Sequence, residues 1–232
     1  MVGCARGLAI VLIAVGSMAI GLQQSWVRIP AGWLPWEDVN LEAPPGGMAR
    51  YQLNALSADS DACFAALDHS GLLYTALPVR PMQNGCGLTD GVRFDQSNVH
   101  YSSGFDLSCG MAAALYWYEA EVDRLAREQL GTGLARINHL GSYACRNING
   151  ATAGRRSQHA TANAIDISGF VLMDGRSVSV LADWTGESDE AWFLHAAHKS
   201  ACGLFNTVLG PDYNALHADH FHFDMGRLRA CR

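Results

Sequence analysis

Two short stretches constrain the fold of this chain most, because each carries side chains that could meet around one metal ion. The first is SQHATANAID, residues 157–166, with His159 and Asp166, and the second is HADHFHFD, residues 217–224. Seven residue steps would span about 23 to 25 Å if fully extended, whereas ligands of one ion must lie much closer. If His159 and Asp166 bind the same ion, the chain doubles back between them, and the small residues of ATANA permit that turn.

Alternating apolar and polar residues predict a strand in each stretch. Ile165 and Ile167 flank Asp166, so the two-residue period of a strand places the carboxylate on the face opposite them. In the second stretch the same period places two histidines on one face and two phenylalanines on the other: His220, His222, Phe221 and Phe223.

These residues suggest a zinc site held by His159, Asp166 and His222. Imidazole nitrogen and carboxylate oxygen are good Zn²⁺ ligands, and a hydrolytic zinc site typically uses three protein ligands and leaves the fourth position to water. The alternative interpretation is that closely spaced histidines form an adventitious metal-binding patch or a polar strand edge. The combination of both stretches favours a real site.

His220 is the candidate general base, because it shares the metal face of its strand and histidine titrates near neutral pH. Asp219 and His217 are its rivals. Asp219 should point away from the metal if the strand is regular, although a bulge would reverse its direction.

The pattern S-x-H-x-x-A-x-A-x-D followed by H-x-D-H-x-H resembles the zinc peptidases that include D-Ala-D-Ala carboxypeptidases, D-Ala-D-Ala dipeptidases and the penicillin-insensitive murein endopeptidase. Three segments resemble the bacterial extensin-like C-terminal domain family more closely, and the likeness covers roughly residues 45 to 232: GSYACR at 141–146, the stretch 157–170 and LGPDYNALHADHFHFD at 209–224.

The resemblance implies a zinc DD-peptidase-like fold and hydrolysis of an amide bond that involves D-amino acids in peptidoglycan peptides. It also favours Arg146 as a group that stabilises the oxyanion or binds a substrate carboxylate, with a structural salt bridge as the alternative. Ser157 would hydrogen-bond a ligand or substrate, or else only form the turn. One position departs from the peptidase pattern, because Ala162 stands where glycine is usual. An alanine is tolerated there only if its backbone φ is negative.

The N-terminal region predicts export. Residues 7–22 form an uncharged apolar run behind Arg6, the layout of a signal peptide or an uncleaved signal anchor that would tether the chain to the inner membrane. Residues 23–48 read as a connector and 49–232 as the peptidase-like domain. We therefore expect a periplasmic or cell-envelope protein.

Six cysteines follow Cys4, which in an exported chain predicts three disulfides. Six cysteines allow 15 connectivities, and the pairing of Cys145 with Cys202 is our first expectation. Thiolate zinc ligands are disfavoured because the sequence contains no C-x-x-C pair.

Helical spacing between Cys109 and Gly131 predicts a core-covering helix that ends at the glycine. Residues 134–146 read as a strand, Asp174-Gly175 as a hairpin turn, and residues 188–204 as a helix. Together these elements predict an α+β domain with a small antiparallel sheet, flanking helices and disulfide cross-links.

The predicted function is therefore zinc-dependent peptidoglycan hydrolysis. A cell-wall-binding module or a structural envelope protein that keeps the fold without turnover is the alternative. The net charge of −6 argues against a nucleic-acid partner.

Overall fold

A computed structural model describes residues 10, 13, 15–17 and 32–232 of the chain. Most of the expected signal or anchor segment and the start of the connector lie outside the described residues. Within the described part, no helix combines the length and the apolar character that crossing a membrane requires.

The domain contains five described helices and twelve strands. The helices are α1 (Ala49–Ala58), α2 (Ser60–Asp68), α3 (Cys109–Leu130), α4 (Val180–Asp183) and α5 (Asp189–Ala201). The strands are β1 (Leu73–Ala76), β2 (Arg80–Gln83), β3 (Cys86–Leu88), β4 (Gly91–Gln96), β5 (His100–Tyr101), β6 (Phe105–Ser108), β7 (Leu134–Gly141), β8 (Ala164–Leu172), β9 (Ser177–Ser179), β10 (Thr207–Leu209), β11 (Phe221–Asp224) and β12 (Ala230–Cys231).

The main sheet is larger than the sequence predicts. Its strand order is β12-β10-β11-β8-β7-β5, and β9 pairs with β8. Most neighbours are antiparallel, but β10–β12 and β5–β7 are parallel. The extra strands are two or three residues long, which is too short for an alternating pattern to show in the sequence. The mixed α+β class with antiparallel sheets is confirmed.

Helix α3 forms the centre of the core. It contacts α1, α2 and α5 as well as β7 of the main sheet, and Tyr118 on it packs edge-on against Phe205 and Phe223. The helix ends at Gly131, whose φ of 74° is left-handed, a conformation that glycine adopts without steric cost. The predicted helix and its stop are confirmed.

The cysteines form three disulfides, but the pairing expected for Cys145 is wrong. The bonds join Cys63 to Cys109, Cys86 to Cys145, and Cys202 to Cys231. The physical reason is the path of the β7–β8 connection, which lies over the β2–β3 hairpin, where Arg156 donates to the backbone oxygen of Asn84. Cys202 instead follows α5 and lies beside β12.

The strand predicted for residues 134–146 also ends early. Strand β7 stops at Gly141, whose φ of 132° turns the chain out of the sheet. The next residue, Ser142, is thereby brought over the metal-ligand candidates. The segment that carries Arg146 is a loop and not a strand.

Candidate metal centre and its cleft

The predicted turn brings His159 to Asp166. Residues Gln158–Thr161 form a single 3-10 turn, and the Ser157 hydroxyl accepts a hydrogen bond from the His159 backbone amide at its start. Ser157 thus takes the turn-forming role, although it also lines the cleft. The chain then passes through Ala162 into β8, so the predicted reversal is confirmed.

The expectation for Ala162 is wrong. Its φ is 52° and ψ 26°, a left-handed conformation that costs a residue with a Cβ atom about 1 to 2 kcal/mol. Its amide donates to the His159 carbonyl, and its carbonyl accepts from the Ser108 amide. The turn therefore keeps the shape that glycine would prefer, with the strain borne by an alanine that is fully buried.

Strand pairing brings His222 to the same point. Strands β8 and β11 are antiparallel neighbours in which Asp166 lies directly opposite His222. Phe221, Phe223 and Ile165 are completely buried on the other face, so the predicted alternation is confirmed in both strands.

Three ligand atoms converge on one small volume. His159 Nε2 lies 3.2 Å from His222 Nδ1 and 3.2 Å from Asp166 Oδ1, and His222 Nδ1 lies 2.8 Å from Asp166 Oδ1. Donors about 2.0 to 2.1 Å from a tetrahedral zinc ion would be roughly 3.3 Å apart. The two separations of 3.2 Å agree with this value, and the third, at 2.8 Å, is shorter.

The opposite nitrogens of both imidazoles are already bonded. His159 Nδ1 lies 2.7 Å from the Ser142 carbonyl oxygen, and His222 Nε2 lies 3.0 Å from Asp224 Oδ2. Carbonyl and carboxylate oxygens only accept, so both nitrogens donate. In the neutral imidazoles the inner nitrogens then carry lone pairs, and both face Asp166 Oδ1, a third acceptor. A cation, either a proton or a metal ion, must lie among them.

The close approach of these side chains shifts the pKa values of Asp166 and His222. Burial alone would raise the pKa of Asp166, but hydrogen bonds with His159 and His222 outweigh it and hold that pKa well below the usual range. Burial alone would likewise lower the pKa of His222, yet its contacts with Asp166 and Asp224 raise it to about 9. A bound metal ion would take the place of the proton that His222 otherwise retains.

His220 lies beside this centre, just before β11. Its Nε2 is 3.7 Å from Asp166 Oδ1, and its Nδ1 donates to Asp219 Oδ1 at 2.7 Å. The Nε2 lone pair therefore faces the centre. Asp219 is about half exposed and lies behind the imidazole, outside the residues that line the cleft.

His217 lines the same cleft beside His220, with their ring centroids 5.2 Å apart. Its Nδ1 lies 2.9 Å from Asn214 Oδ1. Burial, reinforced by the nearby His220 and His222, lowers the pKa of His217 to about 4. Its imidazole is accordingly neutral and a weak base at neutral pH.

Arg146 also borders the centre. Its guanidinium lies 3.7 Å from Asp166 Oδ2 and is partly exposed to the cleft. The Cys86–Cys145 disulfide fixes the residue immediately before it. This placement suits a group that contacts a substrate bound at the centre.

Two partners of the ligand set were not predicted from the sequence. Asp224 could have been found, because it follows His222 by two residues and so lies on the same face of β11. The Ser142 carbonyl gave no signal in the sequence, since its position depends on how β7 ends. Such outer partners fix the tautomer and orientation of ligating histidines.

The three ligand candidates open onto one cleft of about 1000 Å³, which His217, His220 and Arg146 also line. This volume is large enough for a peptide segment. The centre therefore lies where a substrate could reach it.

The sequence was compared with known protein families. Residues 61–232 match the family described as Extensin-like protein C-terminus. The chain belongs to this family. The matched residues begin inside α2 and include the three candidate metal ligands His159, Asp166 and His222, as well as all three disulfides. No curated protein and no solved structure matches the chain significantly.

Proposed function

We propose that this extensin-like protein is a zinc-dependent hydrolase that cleaves an amide bond involving D-amino acids in peptidoglycan peptides. The observation that carries the proposal is the convergence of three acceptor atoms from His159, Asp166 and His222, with both imidazoles fixed from outside. Their spacing fits one tetrahedral ion. The motif resemblance to zinc D-Ala-D-Ala peptidases supports the substrate class.

Bound Zn²⁺ would supply a Lewis acid that polarises the scissile carbonyl and makes a water molecule acidic near pH 7. His220 Nε2 would accept the proton of the attacking water. Its Nδ1–H donates to Asp219, which would orient the ring. The same imidazole would return the proton to the leaving amine. Asp219 acts through His220 in this scheme.

The Arg146 guanidinium would donate to the oxygen that becomes negative during attack, or to a substrate carboxylate. The ion pair with Asp166 leaves N–H donors of the guanidinium available, because the two groups are 3.7 Å apart. Its planar fork can therefore bind a ligand. The role inferred from the family resemblance is thus compatible with its position.

The proposed setting is the periplasm or cell envelope, with residues 7–22 as a possible tether to the inner membrane. Three disulfides in a single domain support export, because such bonds persist mainly in oxidising compartments.

The test combines metal analysis with incubation on purified peptidoglycan fragments, followed by mass spectrometry. Close to one zinc per chain and release of peptides would support the hydrolase. Zinc without released peptides would favour the cell-wall-binding module. Protein never exposed to chelator that contains no zinc would contradict the metal centre.

A further inference from the structure

The cleft has a charge opposite to that of the chain. The whole sequence has a formal net charge of −6, yet the cleft is lined by four arginines: Arg146, Arg155, Arg156 and Arg227. A cleft of one sign in a protein of the other focuses the field onto its ligand. The ligand that such a cleft favours is anionic.

The acidic residues of the cleft cancel only part of this charge, because three carboxylates line it against four guanidinium groups. Asp166 is engaged by both ligand histidines, and Asp224 accepts from His222 Nε2 and from the Gly226 amide. Among the residues that line the cleft, Asp90 is the one other carboxylate. A divalent ion at the centre would make the cleft more positive still.

The four arginines are not equivalent. Arg156 is structural, because it donates to the Asn84 carbonyl at 2.8 Å and to Asn147 Oδ1 at 3.0 Å. Arg146 lies against Asp166. In the described part of the chain, the exposed guanidinium groups of Arg155 and Arg227 have neither an ion pair nor a hydrogen bond.

The order of strands in the sheet places the segments that contain Arg155 and Arg227 on opposite sides of the metal-ligand candidates. Arg227 lies in the segment that leads from β11 across β10 to β12, whereas Arg155 lies in the connection from β7 to β8. In the sheet, β10 and β12 lie on one side of the β11–β8 pair and β7 lies on the other. A peptide bound across the centre would therefore pass between them.

We propose that Arg155 and Arg227 are specificity-determining residues that select peptides with a free carboxylate on each side of the scissile amide. The inference rests on the proposed function for the position of that amide. Guanidinium groups pair with carboxylates through a planar fork with two parallel hydrogen bonds. Replacing either carboxylate by a carboxamide would keep the shape of the peptide but remove its charge.

The experiment compares synthetic stem peptides that carry free side-branch carboxylates with otherwise identical carboxamide peptides, using the zinc-loaded protein. The preference for the free acids is measured as a ratio of kcat/KM values or, if the peptides are not cleaved, as a ratio of Kd values. We expect wild type to prefer the acid forms about tenfold or more. Arg155→Gln and Arg227→Gln should each lose most of the preference for the carboxylate that the replaced arginine binds. The carboxamide peptides should be processed or bound equally by all forms.

Arg136→Gln is the matched control, because Arg136 is exposed on β7 and bonded to Asn138 but does not line the cleft. It should keep the full preference. Equal affinity of wild type for acid and carboxamide peptides, or a preference that survives in both cleft variants, would overturn the inference. Selective binding without cleavage would support the arginine roles while contradicting the hydrolase, so the two failures are distinguishable.

Discussion

Two pairs of histidines share the cleft, but the protein holds them very differently. His159 and His222 each donate from one nitrogen to a buried acceptor and converge on Asp166 with the other. His217 and His220 instead donate to side chains near the surface, Asn214 and Asp219. Rigid support from outside suits ligands that must keep one geometry, whereas a proton carrier needs a free nitrogen that faces the reacting water. In the proposed function this difference would assign metal binding to His159 and His222 and proton transfer to His220.

The largest expected effect follows from removing a ligand. His222→Ala should abolish both tight zinc binding and hydrolysis, because two protein ligands cannot hold an exchangeable ion in place. Metal content after dialysis and peptide release would be measured together. His69→Ala is the control, since His69 is exposed and outside the cleft. If His222→Ala retained one zinc per chain, His222 would not be a metal ligand, and the distinction between the His159–His222 pair and the His217–His220 pair would fail.

His220→Ala should have a smaller and different effect. We expect zinc to stay bound while turnover falls about 10²- to 10⁴-fold, the scale of general acid-base assistance. Loss of zinc in this variant, with zinc retained in His222→Ala, would show that the two roles are reversed. Near-normal turnover would move the base role to Asp219 or His217.

Asp224→Ala tests whether the outer partner matters. The variant leaves His222 without the acceptor that fixes its tautomer, so zinc affinity should fall about 10- to 100-fold. Asp224→Asn keeps an acceptor oxygen and should lose less. Competition with a chelator of known affinity measures both values. Unchanged affinity in the alanine variant would mean that the ligand pair needs no external support.

The smallest effect is expected at the turn. Ala162→Gly relieves the left-handed strain but adds freedom to the unfolded chain and removes a buried methyl group. These contributions oppose one another, so the free energy of unfolding should change by less than about 1 kcal/mol. Urea denaturation of the two proteins measures it. Destabilisation by more than about 2 kcal/mol would show that the methyl group, and not the turn, supports His159.

The parts of the site that could be predicted are those encoded within a few residues. The reversal before Asp166, the facing of His222 and the stop of α3 at Gly131 follow from spacing, alternation and one glycine. The alternation and the helix stop depend on local backbone geometry, whereas the reversal follows from requiring His159 and Asp166 to bind one ion.

What escaped prediction depends on how distant segments meet. Cys145 pairs with Cys86 and not with Cys202 because the β7–β8 connection lies over the β2–β3 hairpin, a placement without a local pattern. The left-handed Ala162 is held by the Ser108 amide from another strand end. Strands as short as β10 and β12 form because β11 offers an edge to β10, and β10 in turn offers one to β12, so their sequences alone could not reveal them.

Zinc X-ray absorption on the metal-loaded protein tests the central claim most directly. The account predicts one zinc per chain, bound only by nitrogen and oxygen at about 2.0 to 2.1 Å, with scattering from two imidazoles. That signal should vanish in His159→Ala. A shell of sulfur at about 2.3 Å, which would indicate cysteine ligands, or the absence of bound zinc would contradict the assignment.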